Sequence, residues 1–273
     1  MNVGIVAQKG NERAARLADD IRDRLAETGV STRLDEAAAT LLGETGTPVS
    51  EFGTCDLVVS IGGDGTFLLA ARGAGDAPML GVNLGEVGFL NAVSPEEAVD
   101  TVHSVVDAGR KRGIATRDIA RIAAEGDGWR GDAAMNEVVV QGPRRGRGGG
   151  IDVEVLVDGS QYSVGHVDGV LVATPTGSTA YNLSEDGPLV HPAVDSLVVN
   201  EMCAGDGMPP LVAAPDATVT VRITGGDEAV VVSDGRSKQV VEPPTEVQIG
   251  RTEPPVRLAG PASDFFRALD KLD

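Results

Sequence analysis

The sequence predicts an α/β domain with a parallel sheet over residues 1–112, followed by an all-β domain of layered sheets over 113–258. Residues 259–273 are expected to form a helix that packs back on the first domain. Three observations predict this fold class. Strand and helix patterns alternate over about the first hundred residues, only strand patterns follow, and the end of the chain returns to helical spacing. A chain of 273 residues is long enough for two medium-sized domains.

The predicted strands of the first domain are apolar runs at residues 3–7, 56–61 and 79–83. These runs do not alternate with polar residues, which is typical of parallel strands covered on both faces. An apolar stripe after the first run predicts a helix that stops at Gly29, and residues 66–72 predict a shorter helix. Ser94 as an N-cap, with Glu97 as the capping-box acid, predicts a further helix to about residue 108.

Strand patterns separated by turn residues fill the second half of the chain. The alternation over residues 151–155 runs to Asp158-Gly159, which predicts a β-hairpin. Further short strands are predicted at 138–140, 170–173, 197–199, 218–223, 229–232 and 247–249. Many short strands predict packed sheets, so a sandwich-like domain is expected. Ser263 is the expected cap of the last helix, whose apolar stripe is Phe265, Phe266, Leu269 and Leu272.

The charge of the chain limits its partners. A formal net charge of −18 repels nucleic acids and anionic membranes, and an aromatic content of 3% disfavours a stacking platform for bases. Carboxylates dominate and lysine is rare, which is typical of proteins from a salt-saturated cytoplasm; the alternative is simply an acidic protein. No apolar run approaches about 18 residues and no signal peptide is visible, so a cytoplasmic protein is expected. Two cysteines, Cys55 and Cys203, fit a reducing compartment.

A glycine-rich turn lies directly between a predicted strand and a predicted helix. Its residues are Gly62, Gly63, Asp64, Gly65 and Thr66. The glycines allow positive φ and close approach of the backbone to a ligand, and the helix that follows presents free N–H groups, so the turn predicts a phosphate site. A carboxylate beside phosphates is repelled by them, so Asp64 is interpreted as a general base or a metal contact. The alternative is an ordinary strand-to-helix turn.

Three further segments carry polar residues at strand ends. Residues 83–90 form a loop with Gly85 and Gly88 at the carboxyl end of a strand, and Asn136-Glu137 precede the strand at 138–140. Either could instead be simple turn chemistry. Residues 144–150 are basic and glycine-rich, which favours a mobile connector over an arm that covers phosphates.

The most specific segment is the loop at 174–184, which follows the strand at 170–173. It reads Thr-Pro-Thr-Gly-Ser-Thr-Ala-Tyr-Asn-Leu-Ser and contains five hydroxyl residues besides its tyrosine. Such a loop is dense in hydrogen-bond donors and acceptors, and Tyr181 can stack on a base. A surface loop could be this polar by chance, but the tyrosine would then have no purpose.

Four of these segments, in this order, resemble the NAD kinase family, and the resemblance covers nearly the whole chain: residues 62–66, 83–90, 136–137 and 174–184. The pentapeptide at 62–66 is shared with lipid kinases and phosphofructokinases, which lack the loop at 174–181. The resemblance implies a Rossmann-like first domain and a β-rich second domain. It implies transfer of a phosphoryl group from ATP, or from polyphosphate, to the 2′-hydroxyl of the adenosine ribose of NAD, with a divalent cation such as Mg²⁺.

The resemblance also implies roles for single residues. Asp64 would accept the proton and Gly65 would lie against the substrate, while Asn136 and Glu137 would contact a ribose and the diphosphate. His166 stands where the family often has a basic residue, and Asp168 matches an aspartate that hydrogen-bonds the dinucleotide. The expected lining of the base pocket and its surroundings is Thr176, Thr179, Ala180, Tyr181, Ser184 and Cys203.

The sequence departs from the family pattern at two places. Two other functions are also considered. Asp186 stands where glycine is frequent, and residues 204–210 lack the arginine that many members carry there. A lipid or sugar kinase that shares the glycine turn is one rival, and a catalytically silent NAD sensor is the other. A homodimer or homotetramer is expected if the second domain exposes a sheet edge.

Overall fold

The structure, a computed structural model, describes residues 1–85, 88–144, 146, 149–203 and 207–270. The chain forms two compact units, which are treated separately below. Unit 1 comprises Met1–Ile119 and Pro254–Asp273, and unit 2 comprises Ala120–Glu253. The C-terminal segment therefore belongs to the same unit as the N-terminal α/β part of the chain.

Helices alternate with strands in the N-terminal part of unit 1, whereas unit 2 consists mainly of strands. The strands are β1 (Asn2–Ala7), β2 (Ser31–Leu34), β3 (Leu57–Ile61), β4 (Met79–Val82), β5 (Thr116–Gly126), β6 (Trp129–Arg130), β7 (Glu137–Gln141), β8 (Ile151–Val157), β9 (Ser160–Val167), β10 (Gly169–Ala173), β11 (Leu197–Met202), β12 (Leu211–Ala213), β13 (Val219–Gly225), β14 (Ala229–Ser233), β15 (Ser237–Val241) and β16 (Thr245–Ala259). The α-helices are α1 (Glu12–Ala26), α2 (Glu36–Leu42), α3 (Asp64–Ala74), α4 (Ala98–Arg112), α5 (Tyr181–Ser184) and α6 (Phe265–Leu269). Two short 3₁₀ helices cover Val49–Thr54 and Thr176–Thr179.

Unit 1 contains the predicted parallel sheet, in the order β2-β1-β3-β4. All residues of β3 and β4 are buried, which explains why their sequences are apolar without alternation. Because β2 and β3 flank β1, the strand order reverses between β1 and β3. The carboxyl ends of these two strands form the position at which open α/β sheets bind ligands.

Helices α1 and α3 lie close to their predicted positions, α4 begins later than predicted, and α2 was not predicted. Helix α1 buries Leu17, Ile21 and Leu25 on its predicted stripe. Helix α4 begins at Ala98 rather than at Ser94. The Ser94 hydroxyl accepts a hydrogen bond from the Glu97 N–H at 3.3 Å, but this contact closes a turn ahead of the helix. None of the helices in the described ranges is long and apolar enough to span a membrane.

The C-terminal helix α6 packs within unit 1. Its cap is Asp264, which accepts a hydrogen bond from the Arg267 N–H at 3.1 Å, so the expected cap Ser263 was off by one residue. The ring of Phe265 lies 5.8 Å from the ring of Phe89, and Ala268 is fully buried. Phe266, which was expected in the apolar stripe, is 68% exposed, and Leu272 lies outside the described residues.

Unit 2 is the predicted β-rich part, with antiparallel sheets. One sheet has the order β12-β11-β10-β7-β14-β15, and in the other β8 pairs with β9 and β13, and β13 pairs with β16. A shared core of inward-facing aliphatic side chains from both sheets, such as Val140 and Val153, produces the sandwich. The predicted hairpin at Asp158-Gly159 is present, and both residues have positive φ, 50° and 77°.

Candidate active site

The glycine turn lies at the carboxyl end of β3 and leads directly into α3. The N–H of Gly62 donates to the Val82 carbonyl at 2.9 Å, which joins the turn to β4. The helix ladder starts with the N–H groups of Thr66 and Phe67, which both donate to the Gly63 carbonyl at 2.9 and 3.2 Å. The N–H groups of Asp64 and Gly65 precede this ladder, so the positive end of α3 opens at these two residues.

The glycines of the turn serve a purpose other than left-handed geometry. Neither Gly62, Gly63 nor Gly65 has positive φ, so that part of the expectation was wrong. A Cβ at Gly62 would lie 2.5 Å from the Thr66 hydroxyl, so this glycine allows the turn to close on itself. A Cβ at Gly63 or Gly65 would meet nothing within 4 Å. The backbone is therefore open at these two positions to an approaching ligand.

The Asp64 carboxylate is half-buried and oriented by a residue from another segment. Asn91, which is fully buried, donates from Nδ2 to Asp64 Oδ1 at 2.9 Å. A Cβ at Gly88 would lie 2.7 Å from the same Oδ1, so the loop after β4 passes close to the carboxylate. Gly88 belongs to the predicted loop motif, whereas Asn91 was missed because an asparagine in a loop carries no local signal.

The loop after β4 also borders a cavity of about 460 Å³. The N–H of Gly85 donates to Asn83 Oδ1 at 3.2 Å, while the Asn83 N–H donates to the Val93 carbonyl at 2.9 Å. Two cationic side chains, Arg13 and Arg267, contribute to the lining of the cavity. Glu86 and Val87, in the middle of this predicted motif, lie outside the described residues.

In unit 2, Asn136 and Glu137 stand at the start of β7, where a third residue anchors their backbone. Asp234 accepts hydrogen bonds from the N–H groups of Met135 at 3.0 Å, Asn136 at 2.8 Å and Glu137 at 3.3 Å. Asp234 itself has positive φ, 46°, in the turn between β14 and β15. This role of Asp234 was not predicted, because an Asp-Gly pair between two strands indicates only a hairpin.

The Glu137 side chain is a buried acceptor with spare capacity. It is 6% exposed, and its Oε2 has no hydrogen-bond partner among the described residues. Burial, together with the nearby Asp234 carboxylate, raises the pKa of Glu137 to about 7, and a hydrogen bond from the Tyr181 backbone N–H opposes this rise. A buried carboxylate oxygen without a partner fits a site that a ligand hydroxyl completes.

The loop at 174–184 packs directly on this corner. The Thr174 N–H donates to the Asn136 carbonyl at 2.9 Å, and the Thr174 hydroxyl donates to the Met135 carbonyl. A Cβ at Gly177 would lie 2.0 Å from the Asn136 carbonyl oxygen, so only glycine permits this approach. The most specific motif of the sequence and the Asn136-Glu137 pair therefore form one site within unit 2.

The hydroxyl residues of this loop divide into two groups. Ser178 is fully buried, donates to the Pro175 carbonyl at 2.7 Å and accepts from the Val190 N–H at 3.0 Å, so it shapes the loop. The residues expected to contact the ligand are more accessible. Thr176, Thr179, Ala180 and Tyr181 are half-buried and Ser184 is exposed.

His166, Asp168 and Cys203 lie at the ends of neighbouring strands. The Asp168 carboxylate accepts a hydrogen bond from the Gly146 N–H, with 3.0 Å to each oxygen. The His166 ring lies between two acceptors, Asp152 Oδ1 and the Gly149 carbonyl, each at 2.8 Å, and these contacts raise the pKa of His166. His166 and Asp168 thus hold the glycine-rich connector.

The remaining predicted positions are placed only in part. Cys203 is exposed and has positive φ, 52°. Residues 145, 147 and 148 of the connector, and Ala204–Asp206 of the loop without arginine, lie outside the described residues. No group of three or more histidine, cysteine or acidic side chains able to hold a metal ion occurs in the part of the chain that the structure describes.

Comparison with known proteins covers both units. Residues 3–110 match the ATP-NAD kinase N-terminal domain and residues 135–259 match the ATP-NAD kinase C-terminal domain. NAD kinases of two halophilic archaea, Halorubrum lacusprofundi and Halobacterium salinarum, are 60% and 55% identical to this chain, with full coverage of both partners. These sources agree with the habitat that the acidic composition predicts.

Two solved structures have the same fold. An NAD kinase from Archaeoglobus fulgidus in complex with ATP superposes with a TM-score of 0.77 at 25% identity, over 100% of this chain and 97% of that one. Yeast NADH kinase complexed with NADH superposes with a TM-score of 0.83 at 21% identity, over 100% and 87% of the chains. With both of its domains matched and relatives identical at more than half of their positions, the chain belongs to the ATP-NAD kinase family of phosphotransferases.

Proposed function

We propose that this chain transfers the terminal phosphoryl group of ATP to the 2′-hydroxyl of the adenosine ribose of NAD, with Asp64 as the proton acceptor. The observation that carries the proposal is the Asp64 carboxylate between two open glycines at the start of α3. Phosphate oxygens can approach this backbone, and a carboxylate beside them is suited to take up the proton of an attacking hydroxyl.

The bonds of the proposed reaction balance without a further reactant. The ribose oxygen attacks the terminal phosphorus, the O–P bond of NADP forms, and the bond to the ADP oxygen breaks. The hydroxyl proton moves to Asp64. The N–H groups at the start of α3 stabilise the negative charge on the phosphoryl oxygens, because the positive end of the helix dipole lies there.

We assign dinucleotide binding to the site in unit 2. Asn136 and the partnerless Oε2 of Glu137 are suited to hydrogen bonds with ribose hydroxyls. The accessible residues of the loop at 174–184 are suited to contact the base. Tyr181 supplies a ring that can stack on the base. Asp168, His166 and Cys203 remain proposed contacts, and the first two act through the connector that they hold.

A divalent cation, such as Mg²⁺, fits this chain when it arrives bound to the phosphates of the donor. The described residues hold no cluster of three ligands, whereas Mg²⁺ in nucleotide sites keeps several waters and uses one or two carboxylates besides the phosphates. Asp64 is the carboxylate that would contact such a cation. Bound there, the cation would neutralise negative charge on the phosphates. Polyphosphate could carry the cation into the site in the same way as ATP.

We also propose that the chain assembles as a homodimer or homotetramer. Strands β9 and β15 are edges of the sheets in unit 2 among the described residues, and they expose Val164 (65%) and Val240 (53%). Exposed apolar edge strands are available for pairing with a second copy. Light scattering at molar salt should give a mass of two or four chains, and a monomer would contradict this proposal.

An assay at molar salt tests the function. The purified chain is incubated with Mg²⁺ and all four combinations of ATP or polyphosphate with NAD or NADH, and the phosphorylated dinucleotide is measured by a coupled dehydrogenase. NADP formation from ATP and NAD is the expected result. Binding of NAD without any product in the four combinations would instead indicate a silent sensor.

A further inference from the structure

Asn91 contacts the proposed base directly, yet it lies outside the glycine turn. It is fully buried, and its Nδ2 donates to Asp64 Oδ1 at 2.9 Å from 27 residues away in the chain. The opposite orientation of the amide would place two acceptor oxygens face to face. An ionised Asp64 therefore selects the orientation in which the amide N–H faces the carboxylate.

The position of Asn91 is determined by backbone contacts on both sides. The Val93 N–H donates to the Gly81 carbonyl at 3.2 Å, so this segment runs alongside β4. A Cβ at Gly81 would lie 2.4 Å from Asn91 Oδ1, and a Cβ at Gly88 would lie 2.7 Å from Asp64 Oδ1. Two glycines thus make room for one hydrogen-bonded pair.

The contact leaves a polar atom unsatisfied. Asn91 Oδ1 is buried and has no hydrogen-bond partner among the described residues. An apolar side chain of similar size would avoid this orphaned oxygen, so packing alone does not explain an asparagine here. What the amide contributes is the hydrogen bond to Asp64. A charge-assisted bond of this kind favours the ionised carboxylate and restricts its rotation.

We propose that Asn91 is a positioning residue for phosphoryl transfer, because its amide holds the ionised Asp64 carboxylate through Oδ1 and leaves Oδ2 to take the proton of the attacking hydroxyl. Among the described residues, Oδ2 accepts no hydrogen bond. The inference rests on the proposed role of Asp64 in the reaction. It concerns kcat rather than the binding of either substrate.

The test is the full-length Asn91→Leu variant, assayed with ATP and NAD. We expect kcat to fall about 10- to 100-fold, with both KM values within about twofold, as for the loss of one charge-assisted hydrogen bond. In an Asp64→Asn background, the same substitution should cause no further loss, since the two residues act as a unit.

Matched variants separate positioning from packing. Val93→Ala removes buried methyl groups two residues away; it should lower the melting temperature while kcat stays within about twofold of the native value. If Asn91→Leu does not fold, Gly88→Ala tests the same geometry, because its new methyl group displaces Asp64 Oδ1. An unchanged kcat in the folded variants, or a full additional loss in the Asp64→Asn background, would overturn the proposal. Full turnover by Asp64→Asn alone would instead contradict the proposed function, in which Asp64 accepts the proton.

Discussion

Asp234 accepts a hydrogen bond from the backbone N–H of Glu137, with 3.3 Å between Oδ1 and the nitrogen. The residue that anchors the start of β7 is therefore also a negative charge close to a buried carboxylate. Burial, together with this neighbouring negative charge, raises the pKa of Glu137 to about 7. The Asp234 carboxylate thus anchors the backbone of the site in unit 2 and also opposes the ionisation of Glu137, a residue of that site.

The raised pKa of Glu137 predicts how stability depends on pH. In the folded chain Glu137 binds its proton more tightly than in the unfolded chain, so its contribution is most favourable below about pH 4.5 and is lost as the pH rises to about 7. Relative to Glu137→Gln, the native chain should lose on the order of 2–3 kcal/mol across this window. Urea unfolding at a series of pH values in molar KCl measures the difference.

Glu246→Gln is the control for this experiment. Glu246 is exposed and hydrogen-bonded to Gln248 and Arg222, which lower its pKa, so its difference from the native chain should titrate below about pH 4.5. Parallel profiles for the native chain and Glu137→Gln between pH 4.5 and 7 would show that the carboxylate is not buried as described.

Asp64→Asn should separate catalysis from binding. Because the amide cannot accept the proton, kcat should fall by at least about 10²-fold, while the dissociation constant for NAD stays within about twofold. Steady-state kinetics and calorimetric titration with NAD measure the two effects. Asp76→Asn, at an exposed site on the amino side of β4, is the control and should retain turnover. Unchanged turnover in Asp64→Asn would remove this residue from the mechanism.

Tyr181→Ala should raise the KM for NAD, with a smaller effect on kcat. Stacking of a base on an aromatic ring contributes about 1–3 kcal/mol, which corresponds to about a 5- to 150-fold change. Tyr181→Phe retains the ring and is the matched control, so its KM should stay close to that of the native chain. An increase confined to the KM for ATP would show that the base pocket has been assigned wrongly.

Gly177→Ala should destabilise the loop at 174–184, since the added Cβ would lie 2.0 Å from the Asn136 carbonyl oxygen. We expect a loss of about 1–3 kcal/mol in unfolding free energy and a higher KM for NAD. Gly65→Ala is the contrasting variant, because its Cβ meets nothing within 4 Å. It should unfold like the native chain but show a raised KM for ATP. Equal stability of the two variants would contradict the packing of Gly177 on Asn136.

His166 should titrate above its ordinary pKa of 6.5, because Asp152 and the Gly149 carbonyl both accept from its ring. The stabilising contribution of this contact is fully present below about pH 6.5 and disappears as the pH rises through the folded pKa. Proton NMR of the imidazole measures the midpoint, which should fall in Asp152→Asn. The same midpoint in both chains would contradict the contact between the His166 ring and Asp152.

Much of the fold followed from local patterns. The uninterrupted apolar runs of β3 and β4 predicted strands covered on both faces, and the alternation in β8 with Asp158-Gly159 predicted its hairpin. Strand β2 was missed because its four residues are too few to show a periodic pattern, and helix α2 was missed because its short, alanine-rich sequence carries a weak one. The helix beginning at Ala98 was misplaced by one turn, since a serine and a glutamate three apart also close an isolated turn.

The sequence alone determined the class of chemistry, because a strand, the residues Gly62–Thr66 and a helix are consecutive and the backbone must present that turn at a helix start. It also identified the loop that carries the family resemblance. Only the tertiary structure selected the residues that orient these groups. Asn91 reaches Asp64 across 27 residues and Asp234 reaches Asn136 across 98. Hydrogen bonds over such separations depend on how strands and loops pack, and no local pattern encodes that geometry.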